Sequence, residues 1–260
     1  MVRIKGIYAT LAVIFLIAPL LVIMPLAFTS SAFLTYPIPS FSTRWFHELA
    51  DNAVWRRSII NSMIIASGTT VLATVLGTAA ALGLRGRAVP LKGVLRTFFL
   101  LPMVVPAVVM GVGMQVLFVR LGLVNSYIGV IFAHTVLAIP FVLISVSGSL
   151  EGIDTRVERA AASLGATPLR TFTRVTLPLT APGILSGAAL AFALSLDEVV
   201  LTLFVAGPNQ RTLARQMFST LRENISPAIA SAAFVIIVGT VVVATLLLVV
   251  RIRARARNTA

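Results

Sequence analysis

Two adjacent carboxylates, Asp197 and Glu198, stand in the run SLDEVV, inside a segment otherwise apolar enough to cross a membrane. A carboxylate buried in lipid costs several kcal/mol or more unless it meets water, a partner or a cation. Counted from a span starting at Gly183, Asp197 lies 14 residues along, about 21 Å at about 1.5 Å per residue. That places the pair in the outer half of a bilayer, where it could form the acidic lining of a pathway for a polar, cationic solute. Phe192 and Phe204 on the same stretch could add ring faces that attract amines, although each taken singly serves equally well as a packing or lipid-facing residue. The alternatives for the carboxylates are structural: neutralisation by Arg211, Arg215 or a sister subunit, or a shorter span that leaves them at the interface. His134 is a lone histidine in an apolar run. With no second ligand at a helical spacing, it reads as a packed, hydrogen-bonded residue and not as a metal ligand. His47 reads as solvated. Cysteine is absent, and no G-x-x-x-x-G-K-[ST], H-E-x-x-H or G-x-S-x-G occurs. The chain thus has no P-loop, no zinc-protease helix and no nucleophile elbow of its own. Its chemistry is binding and passage, without catalysis.

The elements that must position these residues are membrane-length helices. The chain has 260 residues, of which 58% are hydrophobic and 11% charged, with mean hydropathy +1.01. Apolar runs of spanning length recur along it. Six spans are expected, at about 7–30, 59–84, 97–119, 124–150, 183–205 and 228–250, in a single transmembrane domain covering 1–260. The first is too long for a signal-peptide core and lacks a clean cleavage site, so it reads as a retained span. Pro19 and Pro25 should kink it, and Pro102, Pro106, Gly111 and Gly113 should make the third irregular. The second is rich in small residues, and Gly183 and Gly187 form a G-x-x-x-G at the start of the fifth, both favouring close helix contact. Between spans one and two, Trp45, Phe46 and Trp55 suit an interfacial aromatic belt, with a short helix near 42–49.

The net charge of +13 does not point to nucleic acid, because Lys and Arg cluster in the short segments between apolar runs. Placing the N-terminus inside puts fourteen of the 21 basic residues on the cytoplasmic side, as the positive-inside rule expects. The topology is therefore read as N-in/C-in.

The one long polar interval runs from Glu151 to Pro178. Thr155-Arg156-Val157-Glu158 has the spacing of a capping box, with Thr155 as N-cap. Val157, Ala160, Ala161 and Leu164 follow at i, i+3, i+4 and i+7 and make one apolar stripe, while Arg156 and Arg159 fall off it. Gly165 sits where a helix C-cap needs positive φ. Thr167-Pro168 should start a second helix that ends near Leu177-Pro178, since proline disfavours a helical residue before it. Taken alone, these residues fit either a knob that seats in another protein's groove or a surface helix lying on the membrane with its arginines at the headgroups.

ERAAASLG followed by VTLP resembles the cytoplasmic EAA loop of ABC-importer permeases. In that family EAA, three residues and Gly are followed by nine residues and Ile-x-Leu-Pro. Ala160, Ala161, Gly165, Val175, Leu177 and Pro178 fall in register. Arg159 stands where the motif has glutamate, with Glu158 one residue earlier, and Val175 replaces the isoleucine. SLDEVVLTLFVAGP is similar to the segment of polyamine-type permeases in which Ser-x-Asp-[Asp/Glu] precedes a phenylalanine and a Gly-Pro turn, here Ser195, Asp197, Glu198, Phe204, Gly207 and Pro208. The likeness continues through Thr212-Leu213, Ile225-Ser226-Pro227 and Trp45, and so covers most of the chain.

The resemblance implies an all-α type I ABC-importer (MetI-like) permease fold with cytoplasmic coupling helices, in the bacterial inner membrane. It implies a coupling surface formed by Val157, Glu158, Arg159, Ala160, Ala161, Leu164 and Gly165, and a solute pathway including Ser195. Implied partners are a dimer of ATPase subunits that binds ATP and Mg, a homologous second permease and a periplasmic solute-binding protein, besides the lipid bilayer. The implied solute is a polyamine such as putrescine or spermidine. Related permeases carry opines, aminobutyrate-like compounds or aminoalkylphosphonates. Outside the family, an ion-coupled secondary transporter would use Asp197 and Glu198 as proton or sodium sites and would need no ATPase.

Overall fold

A computed structural model of the chain describes residues 2–86 and 89–258, with backbone alone at 2–5, 7, 243, 244, 246–248 and 250–258. Seven of the basic residues assigned to the cytoplasm therefore lie outside the described residues: Arg87, and the side chains of Arg3, Lys5, Arg251, Arg253, Arg255 and Arg257.

Helices dominate: α1 Val2–Leu26, α2 Arg44–Asp51, α3 Ala53–Arg85, α4 Lys92–Leu100, α5 Ala107–Arg120, α6 Tyr127–Glu151, α7 Thr155–Ser163, α8 Pro168–Thr171, α9 Leu177–Asp197, α10 Val200–Val205, α11 Leu213–Glu223 and α12 Ala228–Asn258. Among the described residues, four stretches are long and apolar enough to cross a bilayer: 8–26, 53–85, 127–151 and 168–197. The expected third span is not one straight helix. Lys92–Met103 and Ala107–Arg120 meet at 99°, which makes a broken span or a re-entrant loop. Pro106 is the N-cap of α5, and its ring and missing N–H end the preceding turn. The apolar part of α12 runs over 228–242 within the described residues.

The expected fifth span at 183–205 needs correction at both ends. Its helix starts earlier, because α8 passes through a π-helical stretch, Phe172–Thr176, directly into α9. Leu177 N–H reaches back five residues to the Phe172 carbonyl. That wide turn, with Pro178 in the first turn of α9, accommodates the proline that was expected to stop the helix. The helix also ends earlier, at Asp197, where Glu198 turns to extended backbone (φ −74°, ψ 112°).

The residues cluster into two compact units, one formed by Met1–Ile59 with Gln216–Thr240 and the other by Ile60–Arg215 with Val241–Ala260. In the first, Phe28, Phe46 and Phe234 form a ring cluster with centroids 5.1–5.7 Å apart. Trp45 donates to the Ser31 carbonyl at 3.2 Å, and Trp55 is buried. These aromatics therefore take part in the unit's own packing.

In the second unit α6 and α9 lie along each other. A Cβ on Gly183 would fall 2.7 Å from the Ser145 carbonyl oxygen, and one on Gly187 would fall 2.9 Å from Val142 Cα. The G-x-x-x-G is thus a contact surface, as expected. Gly77 of α3 meets Val142 in the same way. Asn61 ties the N-terminal half of α3 to the loop after α10, donating to the carbonyls of Asn209 (2.8 Å) and Arg211 (2.9 Å) and accepting from Tyr127 (2.7 Å).

Candidate functional site

Two sites stand out, both within the second unit. The first is the knob formed by α7, the glycine elbow and α8. Asp154, and not Thr155, is the N-cap of α7: its carboxylate accepts from Arg156 N–H at 2.8 Å. The expected capping box is absent because Glu158 turns the other way. Its Oε1 lies 2.5 Å from Arg85 Nη1 at the end of α3 and 2.6 Å from the Thr176 hydroxyl in the π turn. Arg85 also donates to the Ile153 carbonyl. One carboxylate thus joins the knob to two long helices. Burial alone would raise the Glu158 pKa, but the hydrogen bonds from Thr176 and Arg85 and the guanidinium charge outweigh it and hold the carboxyl below its ordinary range.

Gly165 has φ +82°. Its N–H bonds the Ala162 carbonyl and that of Ala166 bonds Ala161, the paired bonds of a Schellman cap. Thr167 then caps α8 through Arg170 N–H, with Pro168 at its start. The stripe faces outward. Leu164 is 89% exposed, Leu169 72% and Val157 45%, Ala160 is exposed and Ala161 half-buried. Arg159 is exposed beside them.

The second site is the elbow between α9 and α10. Asp197 ends the 21-residue α9, which rises about 31 Å, close to the thickness of a bilayer's hydrocarbon. The acidic pair therefore lies at the end of the apolar helix and not part-way along it, as a span at 183–205 would have placed it. Asp197 is exposed; Glu198, Phe192 and Phe204 are half-buried. Glu198 Oε1 accepts from Leu201 N–H at 2.8 Å and so caps α10. Phe204 packs against α5 where Gly111 has no side chain. Ser195 is buried, with its hydroxyl 2.8 Å from His134 Nδ1. The other ring nitrogen of His134 lies 3.0 Å from the Thr202 hydroxyl. Arg215 donates to the carbonyls of Thr202 (3.2 Å) and Ala206 (2.7 Å) at the far end of α10.

The expectation that His134 is packed and hydrogen-bonded is met. Its partners lie 61 and 68 residues away and carry no sequence signal beyond being hydroxyls in an apolar run. Arg85 and Thr176 were missed for the same reason, since Arg85 reads from sequence only as a cytoplasmic cation. Among the described residues no cluster of His, Asp and Glu could hold a metal ion.

Residues 73–257 match the family described as binding-protein-dependent transport system inner membrane component. The putrescine transport system permease protein PotI of Escherichia coli K12 is 35% identical over 233 residues, covering 86% of this chain and 82% of that one. The spermidine/putrescine transport system permease protein PotC of the same organism is 29% identical over 90% of this chain and 88% of its own length. The molybdenum transport system permease protein ModB of Mycobacterium bovis is 34% identical over 84% and 89%. Among solved structures, a bacterial ABC transporter for the acidic polysaccharide alginate aligns at TM-score 0.70 with 17% identity, covering 94% of this chain and 95% of that one. The MetNI methionine ABC transporter aligns at 0.62 with 19% identity, covering 81% and 97%. The fold is that of the MetI-like importer permeases, and the chain belongs to the family of binding-protein-dependent inner membrane components, the permease subunits of ABC importers.

Proposed function

We propose that the chain moves a small cationic solute, a polyamine such as putrescine or spermidine, inward across the bacterial inner membrane, driven by a separate ATPase subunit. In this reading the whole chain is one permease domain of six spans with both termini in the cytoplasm. The bent pair α4–α5 and the helix α12 complete the count. The outward-facing stripe of α7 docks on one member of an ATPase dimer that binds ATP and Mg. A homologous second permease completes the pore, and a periplasmic binding protein delivers the solute.

The observation that carries the coupling role is the knob's architecture. Large apolar side chains at Val157, Leu164 and Leu169 are exposed on a rigid double-capped element, and Glu158 straps that element to α3 and to the start of α9. Exposed apolar patches mark interaction surfaces, and Glu158 supplies the strut through which a push on the knob would reach the helices. Glu158 thereby takes a mechanical role one residue ahead of the position where the EAA motif has its glutamate. For the solute, support comes from the acidic pair at the end of α9 and from the names of the PotI and PotC relatives. ModB, equally similar, is named for molybdenum, so other solutes of this importer class, including opines, aminobutyrate-like compounds and aminoalkylphosphonates, remain the second reading. An ion-coupled mechanism without ATPase finds no support in a family named for its binding proteins.

Purification of the tagged chain from its own membranes in mild detergent, with mass spectrometry of what accompanies it, tests the reading. A P-loop ATPase and a second permease should be recovered, and putrescine-loaded binding protein should stimulate ATP hydrolysis. A chain recovered alone would overturn the coupling role. Stimulation by a different solute alone would overturn the polyamine assignment.

A further inference from the structure

We infer that His134 is a positioning residue for solute recognition: its imidazole holds open the α9–α10 elbow that presents Asp197 and Glu198. The inference rests on the pathway role proposed for that pair. No glycine or proline marks the place where the chain breaks: none occurs from Ala188 to Ala206, and LSLDEVVLT could continue as helix. In an unbroken helix Ser195 and Thr202, seven residues apart, would sit about 10.5 Å apart along the axis, too far for one imidazole to bond both. In the structure both hydroxyls reach the His134 ring, at 2.8 and 3.0 Å. Bonding of both hydroxyls to one ring therefore requires the break.

One set of hydrogens satisfies the whole cluster. With the Thr202 hydroxyl donating to the Glu198 carbonyl at 3.0 Å, its oxygen accepts from a ring N–H at Nε2 and Nδ1 accepts from Ser195. Every polar atom of this buried cluster is then satisfied. The bonds run from Ser195 in the last turn of α9 through His134 of α6 to Thr202 of α10, and back to the backbone of Glu198. Glu198 closes the elbow with its own side chain by capping Leu201 N–H. Asp197, between these anchors, is left exposed at the helix end. Without the imidazole, α9 is free to run on through Glu198, which would carry both carboxylates round onto a helix face.

The test uses the assembled importer in proteoliposomes, with radiolabelled putrescine as the probe. His134→Leu should raise KM about tenfold and change the maximal rate by less than about twofold, and His134→Gln, which keeps polar atoms near both hydroxyls, should recover part of the loss. In the Asp197→Asn/Glu198→Gln background the same His134→Leu change should add less than about twofold, because the pair it positions is already gone. A wild-type KM in His134→Leu, or an equal effect in both backgrounds, would overturn the inference. If the acid-pair variant alone transports normally, the pathway role falls and takes the inference with it; if that variant is impaired and His134→Leu is not, only the inference falls. A second measurement is independent of solute. The full chain has two histidines, so nitrogen NMR of 15N-histidine-labelled protein in nanodiscs reads His134 against the exposed His47. A single fixed tautomer that is lost in Thr202→Val is expected. An averaged signal in the unsubstituted chain would contradict the elbow.

Discussion

At the knob, apolar side chains face outward: Leu164 keeps 89% of its surface and Leu169 72%. At the elbow, polar groups face inward: His134, Ser195 and Thr202 are all buried and bonded to one another. A soluble surface normally avoids the first arrangement and a membrane interior the second. Each is stable here for a different reason. The knob's apolar stripe has no partner within the described residues, which is what an interface awaiting another subunit looks like. The buried hydroxyls and imidazole of the elbow bond one another within the chain. One glutamate stands at each site, and both accept hydrogen bonds from neighbours, but with opposite reach. Glu158 connects the knob to helices 73 and 18 residues away in sequence, whereas Glu198 caps a residue three positions ahead. On the proposed reading the knob passes a displacement on, while the elbow holds a local shape.

The largest separation between the two regions is expected from Ala160→Trp. It should reduce uptake at least about a hundredfold in proteoliposomes while changing the chain's own stability by less than about 0.5 kcal/mol, since Ala160 is exposed. Lost stability in step with lost uptake would mean that the stripe packs within the chain. Gly187→Leu should break both regions together. Its side chain would meet Val142 Cα, 2.9 Å from the Cβ position, and overpacking of this kind costs about 1–3 kcal/mol. Thermal unfolding should register it, and an unchanged midpoint would show that α6 and α9 do not pack as described.

Glu158→Gln should weaken the strut alone, by about 1.5–3 kcal/mol for a hydrogen bond to a charged group, seen as faster amide exchange across α7 with α10 unaffected. The pH dependence has a definite sign. Because Thr176 and Arg85 hold the Glu158 carboxyl below its ordinary value of 4.5, the folded loop favours the carboxylate. The strut's contribution is complete above 4.5 and is lost as pH falls through the lower folded value. Exchange of α7 should therefore be insensitive to this group from neutral pH down to about 5 and rise only in stronger acid, and Glu158→Gln should abolish that rise. The smallest effect concerns the cap. Asp154→Ala should cost α7 about 1 kcal/mol, while Thr155→Ala should cost almost nothing; the reverse order would restore the capping box.

Sequence made the knob's local features legible and hid its connections. Gly165 at positive φ and Thr167-Pro168 at a helix start follow from backbone sterics within a few residues, and they appear where expected. Thr155 failed as N-cap because Asp154 offers a carboxylate one residue earlier and because Glu158, the other half of the box, is taken by Arg85. Pro178 reads as a stop only if the preceding turn is α-helical. A π turn removes the conflict, and nothing in FTRVT announces one. The end of α9 was invisible because SLDEVV has no breaking residue. The break is held by the Glu198 cap on Leu201 N–H and by a histidine 61 residues upstream, and tertiary partners at that distance leave no trace in a single sequence. The irregular third span was legible because Pro102 and Pro106 act through their own backbone, whereas the size of its bend, 99°, was not.

The most direct test of the coupling role uses the chain's lack of cysteine. A Leu164→Cys variant carries a single thiol at the tip of the knob. In the importer assembled in native membranes, a short thiol-to-amine cross-linker at that thiol should join the chain to a P-loop ATPase subunit, and a water-soluble maleimide should react with it only after the complex is dissociated. A thiol that labels freely in the assembled importer and joins no ATPase would contradict the docking of α7 and return the loop to the role of a connector on the membrane surface.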